Sequence, residues 1–220
     1  MRITSAAGLQ PDLGLSVTEA ARRSQIIEAT IATIGELGYA KASFARIMER
    51  AELSSSRMIT YYFTTKAGLM QAVLSTVVGL KDSFLAERMG SEQDPGDALR
   101  RYIESEIAFL TARPDLARVL AEFAVSADPD GWAMAGPVLR DLRTGRLARQ
   151  LRQGQREGAF GDFDPDVIAV AIAGAIDGVA AELARDPKLK TDRYANELAN
   201  AFGRATQPVP RGRSIAKKRA

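Results

Sequence analysis

The polar side chains between residues 43 and 66 are the part of this chain whose types and spacing suit chemistry. The segment reads SFARIMERAELSSSRMITYYFTTK. Its hydroxyl groups and arginine forks can bind phosphate oxygens and base edges, and its tyrosine hydroxyls can reach the oxygens of a nucleic-acid backbone. Such groups recognise a ligand without reacting with it, so the segment predicts binding to DNA.

Two short helices joined by a tight turn must position these side chains. Ser43 predicts the N-cap of the first helix, and Ser54 predicts the N-cap of the second. Apolar residues follow each cap at helical spacings: Phe44, Ile47 and Met48, then Met58, Ile59, Tyr62 and Phe63. Two helices with this connection form a helix-turn-helix, whose second helix can enter a DNA major groove.

Composition narrows the classes of protein that the chain can belong to. Its 220 residues are 46% hydrophobic and 26% charged, as in an ordinary soluble protein of one or two domains. Cysteine and histidine are both absent. Disulfides and thiol catalysis are therefore excluded, and a zinc or haem site would lack its usual ligands. We expect no metal, no cofactor and a cytoplasmic location, with the protein on the nucleoid when it is bound to DNA.

The sequence offers no catalytic constellation. Glu104 and Glu106 lie two residues apart, a spacing that points helical side chains in different directions. No serine has a histidine base. Gly154, Gly158 and Gly161 follow a predicted helix rather than a strand, unlike the glycines of a phosphate-binding loop. We therefore expect that the protein is not an enzyme.

The net charge of +3 comes from the end of the chain. Five basic residues and no acidic residue follow position 206: Arg211, Arg213, Lys217, Lys218 and Arg219. Without these five of the 30 basic residues, 25 basic residues face 27 acidic ones, a net charge of −2. Specific affinity for DNA must therefore come from a local patch, and the tail can add only a salt-sensitive contribution that does not depend on sequence.

Four parts are predicted along the chain. They are a flexible arm at 1–16, a helix-turn-helix domain at 17–66 with its motif at about 43–63, a helical domain at 67–205, and a basic disordered tail at 206–220. The arm lacks the basic start and continuous apolar run of a signal peptide. No alternating strand pattern occurs anywhere, so the fold class is predicted to be all-α.

Caps and prolines predict most helix ends. The first helix is expected from residue 18 to 37 with Gly38 as its left-handed stop, and the fourth from a cap at Thr64 or Thr65 to residue 89. Later helices are expected to open at four prolines: Pro95, Pro114, Pro137 and Pro165.

Residues 167 to 181, VIAVAIAGAIDGVAA, are apolar on nearly every side of a helix. A membrane span needs about 20 such residues, and Asp177 interrupts the run earlier, so no membrane association is expected. A helix that is apolar all round is expected to be buried all round. Gly174 and Gly178 would allow a second helix to approach closely.

A ligand pocket is predicted between the helices of the second domain. Its proposed lining consists of Ile107, Leu110, Phe123, Trp132, Met134, Leu139 and Asp177. For each apolar member taken alone, plain core packing is favoured over ligand contact. Glu106, Arg118 and Glu122 are further polar groups that could orient a ligand or lie on a solvated surface.

Residues 26 to about 73 resemble the tetracycline-repressor-like (TetR) family of transcriptional regulators. The resemblance rests on a long helix ending in LGY at 37–39, the segment after Ser43, AELS at 51–54, YYFTTK at 61–66, and Leu69. The chain departs from the family pattern at Glu52, where a glycine is usual, at Thr60, where an aromatic is usual, and by one extra residue before Phe63. A non-glycine residue with positive φ costs about 1 kcal/mol.

The resemblance implies an N-terminal three-helix DNA-binding domain joined to a C-terminal helical bundle that binds ligand and dimerises. The implied activity is that of a repressor: a homodimer binds a palindromic operator in double-stranded DNA, and an unidentified small-molecule effector releases it. The DNA-binding residues would be Ser43, Arg46, Ser54, Ser55, Ser56, Arg57, Thr60, Tyr61, Tyr62 and Lys66. Arg57 is expected to read a base, and Tyr61, Tyr62 and Lys66 to hold phosphates. Arg22 and Arg23 are further candidates for phosphate contact.

A subunit interface is expected on the last two helices, the second of which is predicted at 191–202 with Gly203 as its stop. Its proposed residues are Ile168, Ile172, Gly174, Ile176, Gly178, Tyr194, Leu198 and Phe202. A purely internal helical hairpin is the alternative. We prefer the dimer because a palindromic operator needs a two-fold symmetric protein.

Two other functions remain open from the sequence. A helical ligand-binding or protein-interaction module with a degenerate helix-turn-helix is suggested by Glu52 and the extra residue, and it would bind DNA only weakly. A nonspecific DNA-associating protein would depend on the basic tail, so that removal of residues 208–220 would abolish its binding.

Overall fold

The computed structural model describes residues 16–90, 94–125 and 141–208. Every regular element within these ranges is helical, which confirms the all-α prediction. Three predicted features lie outside the described residues: the arm before Ser16, the helix opening at Pro137, and the basic tail after Pro208. Three proposed ligand residues also lie outside the described residues: Trp132, Met134 and Leu139.

Nine helices and two short turns make up the described chain. They are α1 Val17–Leu37, a 3-10 turn Tyr39–Lys41, α2 Phe44–Arg50, α3 Arg57–Phe63, α4 Lys66–Met89, α5 Pro95–Ala112, α6 Pro114–Val125, a π-helical turn Asp141–Gly145, α7 Arg146–Arg156, α8 Pro165–Arg185 and α9 Thr191–Thr206. The chain divides into two compact units. Among the described residues, one comprises 16–90, 105–125 and Asp141, and the other comprises 94–104 and 142–208.

Side chains that bind their own backbone set most of the helix ends. Ser16 and Glu19 form a capping box at the start of α1, with the Ser16 N–H 2.8 Å from a Glu19 carboxylate oxygen. The Thr65 hydroxyl accepts from the N–H of Gly68 at 3.0 Å and starts α4 as predicted. Asp94 accepts from the N–H groups of Gly96 and Asp97 and starts α5. These local bonds explain why the sequence predicted these ends closely.

The first unit is built around α1, which packs against α2, α4 and α6. The predicted stripe of Ile27, Ile31 and Ile34 is buried, and Ile26 joins it. Facing residues of α4 and α6 are fully or almost fully buried: Leu69, Met70, Val73 and Val77 from α4, and Leu116 and Val119 from α6. This unit therefore extends past residue 66, the predicted end of the DNA-binding domain.

Two predictions about the second unit were wrong. Helix α9 continues through Gly203 to Thr206, and Gly203 has no left-handed conformation. The Thr206 hydroxyl bonds to the carbonyl of Phe202 at 2.9 Å, and the Gly161 N–H bonds to that of Thr206 at 2.9 Å, so the last turn has partners beyond the glycine. Helix α8 is not buried on every side within the chain, because Val167 and Val170 are each 60% exposed.

Two of the described helices, α4 and α8, are long and apolar enough to cross a membrane by length and composition alone. The core helix of a soluble protein passes the same test. Helix α4 contributes six residues to the core of the first unit, and α8 packs against α7 and α9. Packing within the chain accounts for the apolar content of α4, whereas α8 keeps exposed apolar residues such as Val167 and Val170.

Candidate DNA-binding surface

The second helix of the predicted motif, α3, begins at Arg57, three residues after the predicted N-cap at Ser54. That prediction was wrong. An N-cap at Ser54 would accept from the N–H group of Ser56 or Arg57, two or three residues further on. The Ser54 hydroxyl instead lies 3.7 Å from the Met58 sulfur, and the Ser55 hydroxyl accepts from the Arg57 N–H at 3.2 Å.

Helix α3 has a buried side and an exposed side. Ile59 is 0% exposed and Phe63 is 6% exposed, which anchors the helix in the first unit. Arg57, Thr60 and Tyr61 are exposed, and we call these three residues the reading face. The structure therefore turns the residues that can bind DNA outward and the apolar residues inward.

The two tyrosines of α3 lie against each other. Tyr62 is half-buried, and its ring meets that of Tyr61 edge-on, with ring centres 5.0 Å apart. Tyr61 is 72% exposed. The pair thus presents one hydroxyl-bearing ring to solvent while the other supports it.

Glu52 occupies the turn between α2 and α3 with a φ of 50°, in the left-handed region where the family pattern has glycine. The turn closes normally around it, since the Leu53 N–H bonds to the Met48 carbonyl at 3.0 Å. Leu53 is 8% exposed and holds the turn against the core. The strain at Glu52 therefore does not prevent the motif from forming.

Gln25 on α1 is a supporting residue that the sequence did not reveal. Its side-chain N–H donates to the Ala51 carbonyl at 2.7 Å, which ties the turn to α1. Its own carbonyl accepts from Arg22 at 2.6 Å. A partner 26 residues away leaves no periodic signal, and only the packing of α1 on α2 shows the contact.

The polar residues predicted before α3 lie at the surface: Ser43, Arg46, Ser54 and Ser56 are exposed and Ser55 is half-buried. The Ser43 hydroxyl accepts from the Arg46 N–H at 3.4 Å, which confirms Ser43 as the N-cap of α2. The Arg46 guanidinium donates to the Lys41 carbonyl at 3.2 Å and remains exposed. Between residues 43 and 66 the chain carries four basic and two acidic side chains, and Arg50 forms an ion pair with Glu36 outside this segment. The segment itself therefore has a small excess of positive charge.

Lys66 is exposed at the first position of α4. Its Nζ lies 5.5 Å from the centre of the Tyr39 ring, within the range of a cation–π interaction. The N-terminal N–H groups of a helix carry partial positive charge, so the lysine and the helix start attract the same anion. The arrangement suits a phosphate group.

Arg22 and Arg23, candidates for phosphate contact, support the motif from α1. The Arg23 guanidinium lies 4.9 Å from the centre of the Phe63 ring, and Arg22 bonds to Gln25. Both side chains are half-buried. Both arginines therefore contact residues that support the motif, in addition to their proposed contact with DNA.

Glu19, in the first turn of α1, has a pKa below its ordinary value. The Ser16 backbone N–H and then the Ser16 hydroxyl hydrogen-bond its carboxylate and stabilise the charged form. The Tyr61 hydroxyl adds a smaller lowering of this pKa. The start of α1 therefore lies next to the reading face.

The predicted ligand residues that the structure describes belong to both compact units. Ile107 and Phe123 are buried and Leu110 is half-buried in the first unit. Asp177 belongs to the second unit, is exposed, and forms an ion pair with Arg143. A shallow cleft of about 340 Å³ lies elsewhere, lined by Thr33, Leu37, Arg46, Glu49 and Arg50. The ligand pocket therefore stays a prediction.

Two polar candidates for that pocket have partners within the first unit. Glu106 is 7% exposed, and its carboxylate lies 2.8 Å from the Lys81 Nζ. Glu122 accepts a hydrogen bond from the Tyr39 N–H at 2.8 Å. Both carboxylates serve the packing of helices in this structure.

The predicted interface residues separate into two groups. Ile172 and Ile176 are buried within the chain, so they support α8 from inside rather than forming its outer surface. Gly174 and Gly178 are exposed, and a Cβ at either position would meet nothing within 4 Å. Ile168, Tyr194, Leu198 and Phe202 are half-buried.

The sequence was compared with protein families and with known proteins. Residues 26–73 match the family described as bacterial regulatory proteins, tetR family. The HTH-type transcriptional regulator BetI of Stenotrophomonas maltophilia is 38% identical over 87 residues, 39% of this chain and 44% of that protein. The matched part thus spans less than half of this relative.

A longer match extends beyond the motif. BetI of Paraburkholderia phytofirmans is 31% identical over 167 residues, which cover 73% of this chain and 76% of that protein. Among solved structures, AibR in complex with isovaleryl coenzyme A and operator DNA aligns with a TM-score of 0.67 at 18% identity, over 82% of this chain and 97% of that one. Its likeness shows the fold. The motif, the fold and this longer sequence match agree, and the chain belongs to the tetR family of bacterial regulatory proteins.

Proposed function

We propose that the protein is a transcriptional repressor that binds a palindromic operator as a dimer and is released by a small molecule. The observation that carries this proposal is α3. Its apolar residues Ile59 and Phe63 are buried while Arg57, Thr60 and Tyr61 are exposed. A short rigid helix with this outer face suits insertion into a major groove.

Each residue of the surface has a proposed role. Arg57 would read a guanine through two hydrogen bonds, the commonest specific contact in the major groove. Tyr61, Tyr62 and Lys66 would hold phosphates and fix the position of α3. The remaining residues would contact or position the operator around this centre: Ser43, Arg46, Ser54, Ser55, Ser56 and Thr60.

The outer side of α8 supports a two-fold symmetric dimer. Val167, Val170, Ala171, Gly174 and Gly178 are exposed at spacings of three or four residues, and we call them the pairing face. A continuous apolar stripe of this kind is costly to leave in water. The small residues would let the equivalent helix of a second copy approach closely. Two copies would place their α3 helices in adjacent major grooves about 34 Å apart.

A small molecule bound in the helical part after α4 would release the operator. It must bind the released conformation more tightly than the DNA-bound one, because equal affinity for both would shift nothing. The structure of AibR in complex with isovaleryl coenzyme A and operator DNA supports the proposal that this fold can bind both a small molecule and DNA. The chemical identity of the effector does not follow from the described residues.

The proposal is tested by selecting DNA from a random pool with the purified protein at about 150 mM salt, where binding to the backbone alone is suppressed. We expect a palindrome with half-sites about one helical turn apart. Failure to enrich any sequence, with the protein folded and dimeric, would contradict the proposal and favour the interaction module. The selection is repeated without residues 208–220, because loss of all binding in that variant would indicate tail-led association.

A further inference from the structure

A carboxylate on α6 holds the turn that links α1 to the helix-turn-helix. Glu122 accepts a hydrogen bond from the Tyr39 N–H at 2.8 Å, across 83 residues of sequence. The bond is partly buried, and its acceptor is charged. Charge-assisted bonds to a backbone N–H are shorter and stronger than neutral ones. This contact therefore fixes the position of Tyr39 relative to α6.

A glycine directly after α1 lies beside this contact. Gly38 has a φ of 84°, which residues with a side chain rarely adopt, and a Cβ there would lie 3.2 Å from the Glu122 carboxylate. Substitution of Gly38 would therefore strain the backbone and crowd the carboxylate of α6.

The side chain of Tyr39 extends this set of contacts toward α4. Its ring is 7% exposed and meets the Phe123 ring edge-on, with ring centres 5.4 Å apart. The Lys66 Nζ lies 5.5 Å from the same ring, at the start of α4. Glu122 and Phe123 of α6, Tyr39 and Lys66 therefore form one continuous chain of contacts, from α6 to a residue proposed to bind phosphate.

We propose that Glu122 is a positioning residue that couples α6 to the DNA-binding surface, an inference that rests on the proposed function. While the bond to Tyr39 is in place, the Tyr39 ring and Lys66 are held for phosphate contact. A shift of α6 by about 1 Å would break this bond, since N–H···O hydrogen bonds span about 2.7–3.2 Å between donor and acceptor atoms. Movement of α6 would then release the turn and weaken the grip on the operator.

The test compares Glu122→Ala and Glu122→Gln with the wild type. Both variants remove the same negative charge, but glutamine keeps an acceptor for the Tyr39 N–H. A difference between them therefore reports the hydrogen bond rather than the net charge. Glu87→Ala, at an exposed position on α4 in the same unit, is the matched control for removal of a glutamate.

The first readout is hydrogen exchange in the free protein, which needs no operator. In Glu122→Ala we expect protection of the Tyr39 amide to fall by about tenfold or more, since this bond has a charged acceptor. Glu122→Gln should keep most of that protection, and Glu87→Ala should keep all of it. Unchanged protection in Glu122→Ala would overturn the proposed contact.

The second readout is affinity for the selected operator as salt is varied. We expect Glu122→Ala to weaken binding by about fivefold or more. Its plot of log affinity against log salt should become shallower by about one unit of slope if Lys66 no longer neutralises a phosphate. A general decrease in stability lowers the fraction of active protein without changing this slope. Wild-type affinity and slope in Glu122→Ala would overturn the coupling.

The two proposals fail in different ways. If Glu122→Ala does not fold, as judged by circular dichroism, Glu122→Leu, which keeps the side-chain size and removes the acceptor, takes its place: decreased protection and a shallower slope support the coupling, and wild-type values in both overturn it. If the wild type enriches no operator, the proposed function fails and the coupling fails with it. Altered exchange at Tyr39 would then show only a structural contact.

Discussion

Two helices of this protein expose opposite kinds of surface. The reading face on α3 presents an arginine, a threonine and a tyrosine, whereas the pairing face on α8 presents valines, an alanine and glycines. Both helices bury isoleucines on their other side, Ile59 in α3 and Ile172 and Ile176 in α8. The inner sides are therefore alike, and the outer sides distinguish a helix suited to DNA from one suited to another helix.

The reading face and the pairing face suit two different kinds of partner. A charged and polar surface loses little when it stays in water between encounters with DNA. An apolar surface is stabilised only when it is covered, which favours a lasting contact. A substitution on the reading face should leave the dimer intact, whereas one on the pairing face should also weaken operator binding, because the proposed binding to a palindrome needs the dimer.

Val170→Glu on the pairing face should have the largest effect. In a dimer it would place an uncompensated charge between two helices, and such burial costs about 3–5 kcal/mol for each charge. We expect a monomer by sedimentation equilibrium at concentrations where the wild type is a dimer. Val17→Glu, at a position 88% exposed on α1, is the control and should leave the dimer intact. A dimeric Val170→Glu protein would contradict the assignment of this face.

Arg57→Ala on the reading face should remove about 1–3 kcal/mol of discrimination at one base pair. The measurement is the ratio of affinities for the selected operator and for an operator changed at a guanine in each half-site. Arg118→Ala, at an exposed position on α6, should leave that ratio unchanged. The oligomeric state of Arg57→Ala should match the wild type. If every operator position keeps its wild-type ratio, Arg57 does not read a base.

Lys66→Ala should weaken binding to all DNA sequences about equally. A phosphate contact carries no sequence information, and its removal lowers the salt slope by about 0.9 for each phosphate that is no longer neutralised. Titrations at several salt concentrations with specific and random DNA measure both effects. Lys188→Ala, exposed between α8 and α9, is the matched control. A change of sequence preference without a change of slope would argue against phosphate binding.

The smallest effect concerns pH. The pKa of Glu19 is lowered in the folded protein, so its capping box stabilises the start of α1 above the ordinary pKa of 4.5, and the contribution is lost as pH falls through the lowered value. We expect NMR to show Glu19 titrating below 4.5, with fraying of the first turn beside Tyr61 at the same pH. Ser16→Ala should move the pKa back toward 4.5. An unchanged pKa in that variant would exclude the capping bonds as its cause.

The helix ends that the sequence predicted are those set by neighbouring residues. Thr65 begins α4 and Asp94 begins α5 through bonds to N–H groups two or three residues away, and Gly38 ends α1 with a positive φ. Ser54 failed as a cap because the Ser55 hydroxyl already accepts from the Arg57 N–H, one of the two groups that Ser54 would have bound. A side-chain cap predicted from the sequence forms only where no neighbouring group already binds the same N–H.

The candidate site was predicted in part. Residues 57–63 place apolar side chains on one side of a helix and polar ones on the other, so the exposed reading face followed from the helical period. Residues 167–181 are nearly all apolar, and periodicity could not tell Ile172, which is buried, from Val170, which is exposed. For such a segment, only the packing of α8 against α7 and α9 decides which side remains open.

The sequence by itself determined the all-helical fold, the order of the motif and the residue types that can meet DNA. These properties depend on spacing and on bonds within a few residues. The tertiary structure alone decided the contacts of Gln25 with Ala51 and of Glu122 with Tyr39, which join residues 26 and 83 positions apart. Such bonds form between groups that packing brings together, and nothing in their local sequence specifies the partner.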